Sequence, residues 1–346
     1  MATLHQAIET TRTTLKWGGI LVGGIFLAIT IYRGGVFLKD TFFPKPAPPP
    51  TVQFGKLPQI EFPKSTLSSN YIYSINTVTG SLPTFPDRVN IYQIAHDEPN
   101  LLDLSRARST AARIGIEAPD VRVSETAYSW TDVKSFSRKL VMDIISRNFI
   151  YTTDFLSYQP LTKSQLIIDD EDAKKSARQF LSSASSLQED INKKIKTSRY
   201  KIDGGELVVA NNISETQIVR VDFFHEDIDK MPIYSTSPIT SPINLLVSNY
   251  QNKVVVEANY YHHSITKVSS TYPIKTPQEA LKELQDGKGY IASNFNPKSN
   301  KVPIRNVLLA YYLADKKVDY LMPIIVFTDN DGFYAYVPAV KDEWVK

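Results

Sequence analysis

An apolar stretch near the N-terminus, Trp17–Leu38 (WGGILVGGIFLAITIYRGGVFL), constrains this chain more than any other feature. It carries no charge from Trp17 to Tyr32, and Arg33 is the single charged residue before Leu38. A helix of about 20 mostly apolar residues crosses a bilayer core of about 30 Å. We therefore predict a transmembrane helix over residues 17–38. Its contacts with membrane lipid would come from Trp17, Ile20, Leu21, Ile25, Phe26, Leu27, Ile29 and Tyr32.

Two other interpretations of this stretch are weaker. A signal peptide needs a small-residue cleavage site after its apolar core, and the residues around Tyr32-Arg33 offer none. A buried core helix is not expected between a short charged tail and a proline run. Gly19 and Gly23 form a G-x-x-x-G spacing, which allows two such helices to pack closely in a homo-oligomer, although similar glycines also occur in single anchors.

The residues that flank the stretch do not decide its orientation. Positive charges lie on both sides, at Arg12 and Lys16 before it and at Lys39 and Lys45 after it. The chain has no cysteine, which excludes disulfides, thiol catalysis and thiolate metal sites and weakly favours an extracytoplasmic location for the rest of the chain. A net charge of +3 gives no reason to expect a nucleic-acid partner.

The remaining chain indicates an α+β fold built of tandem modules, each an antiparallel sheet with a helix packed on one face. We predict a cytoplasmic tail at 1–16 and a transmembrane helix at 17–38, followed by a proline-rich linker or stalk at 39–64 that contains PKPAPPP. Three α+β modules would follow, at 65–165, 166–270 and 271–346.

Three helices are indicated in this part of the chain. One covers 101–114 and ends at Gly115, and one begins at the acidic residues 169–172. The third begins at Thr276-Pro277-Gln278-Glu279, the sequence of a capping box. A further amphipathic stretch is expected at Leu187, Ile191 and Ile195, so that the basic residues 193–201 would lie at a helix end.

Motifs for catalysis or metal binding are not found, and we predict no enzyme, no cofactor and no metal site. The G-x-G-x-x-A sequence at Gly287–Ala292 follows a helix and is therefore interpreted as a helix end, not as a dinucleotide site. His225-Glu226-Asp227 lacks a second histidine one helical turn later. His262 and His263 are neighbours in a strand-like stretch, so their side chains should point to opposite faces. With 36 acidic residues, nothing singles out a carboxylate pair for glycoside hydrolysis, and this alternative stays open.

Tyrosines form the one candidate binding face. Tyr260, Tyr311, Tyr334 and Tyr336 lie in predicted strands and would form a tyrosine-rich sheet surface. Alternating tyrosines in a strand more often cover a core or a packed helix than bind a sugar or a peptide, and this second interpretation is favoured.

The C-terminal part resembles a known family. The segments TYPIKTPQEALKELQDGKGYI (Thr271–Ile291), VLLAYYLADKKVDYLMPIIVF (Val307–Phe327) and FYAYVPAV (Phe333–Val340) are similar to the last module of YycH/YycI-type extracytoplasmic regulatory proteins. FGKLPQIEFP (Phe54–Pro63) also looks like a segment of anchored proteins from small-genome bacteria. The resemblance implies an N-terminal anchor, α+β modules outside the cell and action by contact with a sensor kinase, without catalysis.

These observations predict a single-pass protein of the cell membrane, with its N-terminus in the cytoplasm. Its extracytoplasmic α+β body would bind a protein partner or ligand and regulate an envelope signalling or assembly complex. A structural scaffold in a cell-surface complex and an envelope glycan hydrolase are the alternatives.

Overall fold

The computed structural model describes residues 17–18, 21, 23–33, 49–64, 71–133, 136–162, 168–250, 254–293 and 300–346. The chain divides into two units, Met1–Pro49 and Pro50–Lys346. In the first unit, residues 17–18, 21 and 23–33 are helical, and their large apolar side chains are exposed. Within the described ranges, no helix combines the length and the apolar character needed to cross a membrane. The predicted tail at 1–16, Gly19, Ile20 and residues 34–48 lie outside the described residues.

The second unit confirms the predicted α+β class, with three sheets and four α-helices in its described part. The helices are α1 (Asp103–Arg113), α2 (Gln159–Thr162), α3 (Asp170–Ser183) and α4 (Pro277–Gln285). The strands of the first half are β1 (Ile72–Ile75), β2 (Arg88–Ala95), β3 (Asp120–Arg122), β4 (Ala127–Asp132), β5 (Arg138–Asp143), β6 (Phe149–Thr153), β7 (Lys194–Asp203), β8 (Glu206–Val209) and β9 (Ile218–Phe224). Those of the second half are β10 (Ile233–Tyr234), β11 (Asn244–Ser248), β12 (Val254–Tyr260), β13 (Ser264–Pro273), β14 (Tyr290–Ser293), β15 (Lys301–Ile304), β16 (Asn306–Tyr312), β17 (Tyr320–Thr328) and β18 (Tyr334–Pro338).

Local sequence explains where the helices begin and end. Asp169 caps α3 by accepting the backbone N–H of Asp172, and Thr276 and Glu279 form the predicted capping box of α4. Gly287 follows α4 with φ +75°, a left-handed conformation that glycine adopts without strain. The G-x-G-x-x-A sequence is therefore a helix end, as predicted.

The larger sheet is antiparallel and has nine strands, in the order β3-β4-β5-β6-β12-β11-β9-β7-β8. Helices α1 and α3 pack on one face, where Ala107 and Leu181 contact a row of large side chains that includes Trp130. Burial of this apolar surface, at about 25 cal/mol per Å², is the main force that holds the helices to the sheet.

The seven-stranded sheet contains the path β10-β16-β17-β18-β14, with β2 joining β13 to the start of β17. Helix α4 packs on one face through Ala280 and Leu284. The third sheet is a parallel pair, β1 with β15.

Residues 50–64 are packed within the second unit, although they were predicted as part of a linker. Leu57 is fully buried with Ile91 and Tyr272, and it forms a parallel bridge with Val345. Phe62 stacks on Tyr290 with a centroid distance of 5.1 Å. The apolar residues between the prolines therefore fix this part of the chain to the seven-stranded sheet.

The sheets do not follow the three predicted modules. Strands β3–β6 come from 65–165 and share the nine-stranded sheet with β7, β8, β9, β11 and β12 from 166–270. The predicted boundary at 270/271 falls inside β13, which pairs with β2. The pairings β6–β12 and β2–β13 join strands that are distant in the sequence. Local sequence patterns do not encode such pairings.

The predicted helical stretch at 187–195 is also corrected. Residues Glu189–Ile191 form a 3-10 turn, and β7 begins at Lys194. All of these basic residues except Lys193 belong to this strand. Three of them pair with acids from other segments: Lys194 with Asp227, Arg199 with Asp170, and Lys201 with Glu215, each at 2.7 Å.

Candidate functional site

The nine-stranded sheet brings three ionisable side chains, one aspartate and two histidines, to one edge. Strands β9 and β12 both pair antiparallel with β11, so they run in the same direction and end at the same edge. His225 directly follows β9, and His262 lies two residues after β12. Because β7 runs antiparallel to β9, its start lies at that edge too, and Asp190 comes shortly before it.

These three residues, which we call the Asp–His cluster, are in direct contact. His225 Nδ1 lies 3.0 Å from Asp190 Oδ2, and His262 Nε2 lies 3.0 Å from the same oxygen. Their donor atoms all fall within 4.8 Å of one another. Within the described part of the chain, this is the cluster whose spacing is suited to hold a metal ion.

Ring stacking and hydrogen bonds fix the orientation of the cluster. The rings of Phe149, Tyr260, His262 and His225 form a continuous stack, with centroid distances of 5.3, 6.0 and 5.1 Å. The backbone N–H of His262 donates to Asn148 Oδ1 at 2.9 Å. Both contacts restrict the His262 side chain to the position facing Asp190.

The segments that carry Asp190 and His225 are tied together as well. The N–H of Glu226 donates to the Asp190 carbonyl at 2.8 Å. Lys193 pairs with Glu226 at 2.9 Å. These two contacts join the segment that contains Asp190 to the segment that contains His225, and they hold the two side chains at a constant separation.

Burial and hydrogen bonding set the charge state of the cluster. Burial opposes ionisation of Asp190, but the hydrogen bonds from His225 and His262 outweigh it and hold the pKa of this carboxyl well below its usual range. Burial lowers the pKa of His225, which is only 7% exposed. At neutral pH, a carboxylate thus faces a neutral imidazole of His225.

Two pockets border the cluster. A pocket of about 760 Å³, which we call the polar cleft, is lined by His96, by His262 and by charged residues of both signs, among them Glu98, Arg106, Arg147 and Lys317. A second pocket of about 390 Å³ is lined by Asp190 and His225 together with Tyr92 and Ile265. The cluster is therefore accessible from two sides.

Two acidic residues of the polar cleft, Asp103 and Asp143, serve local structure. Asp103 accepts the N–H of Asn100 at 2.6 Å at the start of α1. Asp143 accepts the N–H groups of Ile145 and Ser146 at 3.1 and 2.8 Å in the β5–β6 turn. These contacts account for both carboxylates without a role in glycoside hydrolysis.

The predicted tyrosine face does not form one exposed surface. Tyr260, Tyr311 and Tyr336 are buried, with exposed fractions of 4%, 0% and 0%, and Tyr334 is half-buried. Tyr260 belongs to the core of the nine-stranded sheet, whereas Tyr311 and Tyr336 belong to separate cores of the seven-stranded sheet. The alternative interpretation, in which the tyrosines cover a core, is therefore correct for Tyr260, Tyr311 and Tyr336.

The histidines behave partly as expected. His262 and His263 do point to different partners: His263 Nε2 lies 3.0 Å from the carbonyl oxygen of Ala314, whereas His262 faces Asp190. The prediction of no metal site overlooked the Asp–His cluster, because its residues lie at positions 190, 225 and 262. The signal available in the sequence was a histidine within two residues of the end of each of two strands, and it became useful only once the strand order was known.

The predicted anchor residues can be followed in part. All of those described have exposed side chains: Trp17, Leu21, Ile25, Phe26, Leu27, Ile29 and Tyr32. A Cβ atom added at Gly23 would meet no other atom within 4 Å, so this glycine leaves open space on the helix surface. Gly19 and Ile20 lie outside the described residues.

Comparison with known proteins gives no assignment. No family model matches the chain, and no curated protein matches it. One similar solved structure is that of an uncharacterized protein from Eubacterium rectale ATCC 33656, with 14% identity and a TM-score of 0.34; the match covers 72% of this chain and 83% of that chain. A similarity of this size supports no argument about fold or function.

Proposed function

We propose that this chain is a single-pass membrane protein whose folded unit, residues 50–346, lies outside the cytoplasm and binds a protein partner. Residues 17–38 form its anchor in this proposal, and the proline-rich residues that follow form a tether. The partner belongs to an envelope signalling or assembly complex, and the chain acts on it by contact and not by catalysis.

The observation that carries the proposal is the exposure of large apolar side chains in the first unit. Leu21 is 64% exposed, Phe26 75% and Ile31 67%. Apolar surface left in water costs about 25 cal/mol per Å², and contiguous surface of this kind marks a site of contact with lipid or protein. With almost no charge from residue 17 to 38, lipid is the partner that suits this stretch.

The resemblance of the C-terminal part to YycH/YycI-type proteins supports the orientation and the mode of action. Members of that family carry an N-terminal anchor and contact a sensor kinase from outside the cell. By analogy, the folded unit here lies outside and regulates a membrane-bound partner.

The polar cleft is the surface to which we assign the partner. Its lining combines acids such as Glu98 with bases such as Arg147 and Lys317, which suits a charged segment of a protein. Two residues on its lining have positive φ without being glycine, Arg147 at 60° and Ser185 at 55°. Strained backbone of this kind concentrates at functional sites.

Deletion of residues 17–38 tests the anchor. We expect the full-length chain to stay in the membrane fraction after alkaline carbonate extraction and to require detergent for release. The deletion variant should move to the soluble fraction, because the lipid contacts of the apolar stretch are lost. A full-length chain that carbonate extracts completely would contradict the anchor.

A photo-crosslinking experiment tests the partner. A photoreactive residue at Glu98 in the full-length chain, in cells, should give a discrete crosslinked species with a membrane or envelope protein. Arg147→Glu should remove it by reversing a charge of the cleft, whereas Lys175→Glu, on the exposed surface of α3, should leave it unchanged. Absence of any crosslink from the cleft, or equal loss in both variants, would count against this surface.

A further inference from the structure

We propose that Asp190, His225 and His262 bind a divalent first-row transition metal ion, with Zn²⁺ as the first candidate. The inference does not depend on the proposed partner. It rests on three side chains at the edge of the nine-stranded sheet, of which His262 also lines the polar cleft. Two imidazole nitrogens and one carboxylate form a recurrent ligand set for such ions.

The separations between the donor atoms suit this ion. With bonds of about 2.0–2.1 Å, tetrahedral ligands of Zn²⁺ lie about 3.3 Å apart. His225 Nδ1 and His262 Nε2 each lie 3.0 Å from Asp190 Oδ2, and all three donor atoms lie within 4.8 Å of one another.

The supporting structure is already in place without the ion. The aromatic stack from Phe149 through Tyr260 holds the imidazole of His262, and the Glu226 N–H holds the backbone of Asp190. Preorganised ligands of this kind keep the entropy cost of metal binding low.

The ligand types suit a cation. Metal ions bind the ionised form of a carboxylate and the neutral form of an imidazole, which Asp190, His225 and His262 can supply. A neutral imidazole binds through a nitrogen without a proton, so the N–H of each ligand histidine lies on its other ring nitrogen in the loaded state.

The site also has room for exchange of the fourth ligand. His262 lines the polar cleft, and Asp190 and His225 line the second pocket. Three protein ligands with an open fourth position admit water or a donor group of a bound molecule.

The test measures zinc bound by the full-length chain, purified in detergent without a polyhistidine tag, stripped with a chelator and titrated with Zn²⁺ against a chromophoric competitor. We expect one equivalent of tightly bound Zn²⁺. Asp190→Asn and His262→Gln should each weaken zinc binding by about 100-fold or more, since each removes a ligand. Loss of a residue that only hydrogen-bonds to a ligand already weakens metal binding by about 10–100-fold. Two matched controls, His263→Gln and His96→Gln, should bind as the parent chain does, because these histidines face Ala314 and Asp319.

The result that overturns the proposal is a parent chain that binds no zinc above the Asp190→Asn level, or equal binding by all five chains. Should the ligand variants fail to fold, X-ray absorption of the zinc-loaded parent chain decides. Two imidazoles in the coordination shell support the site, and a shell with one or none refutes it.

Discussion

We expect Leu57→Ala to lower the free energy of unfolding by about 2–5 kcal/mol, the range for truncation of a buried leucine. Leu57 is 0% exposed and packs against Ile91, Tyr272 and Val340, although it lies in a stretch with the composition of a linker. Its backbone is also fixed, since its N–H donates to the Trp344 carbonyl at 2.8 Å. The measurement is urea unfolding of the full-length chain in detergent, monitored by tryptophan fluorescence, which gives the free energy of unfolding.

The matched control is Lys56→Ala, which changes the exposed neighbouring residue. Surface substitutions of this kind change stability by less than about 0.5 kcal/mol. Equal and small effects of both substitutions would mean that residues 50–64 do not belong to the folded unit, and that the tether extends to residue 64.

We expect the second large effect between pH 6.5 and 4, where His263 makes stability fall as the solution becomes acidic. Burial lowers the pKa of His263 to about 4, against 6.5 for an unperturbed histidine, and its hydrogen bond to Ala314 only partly opposes this. In this window the unfolded chain binds a proton that the folded chain excludes. The neutral His263 makes its full contribution to the free energy of unfolding above pH 6.5. About 3 kcal/mol of this free energy is lost by pH 4, at 1.36 kcal/mol per pH unit.

His263→Gln should remove this part of the pH dependence. The amide is neutral at every pH in the window and retains a donor for the Ala314 carbonyl. The measurement is the urea midpoint at half-unit steps from pH 7 to pH 4, with His96→Gln as a control at an exposed position. The parent chain and His96→Gln should lose about 3 kcal/mol more than His263→Gln. Identical slopes in all three would contradict the effect of burial on His263.

Local features of this fold were predictable from the sequence because they depend on neighbouring residues. The capping box at Thr276 and the glycine that ends α4 each act within a few positions. The sequence does not mark β13 in this way, because its residues, SITKVSSTYP, do not alternate regularly between apolar and polar.

The candidate site was not predictable for a related reason. Its three residues are separated by 35 and 37 positions and come together only through the order β12-β11-β9-β7. The tyrosine face was wrong because a period of two identifies a shared face but not whether that face is covered. Tyr311, for example, donates to the Asn90 carbonyl at 2.9 Å inside the core.

The central claim, an anchored chain with its folded unit outside the cytoplasm, is tested most directly by cysteine labelling. Because the natural chain has no cysteine, a single introduced thiol reports the location of its own position. In intact bacterial cells bounded by one membrane, a membrane-impermeant maleimide should label Val78→Cys, a position that is fully exposed in the folded unit. Thr10→Cys should react only after lysis. Labelling of Thr10→Cys in intact cells, or protection of Val78→Cys until lysis, would contradict the account.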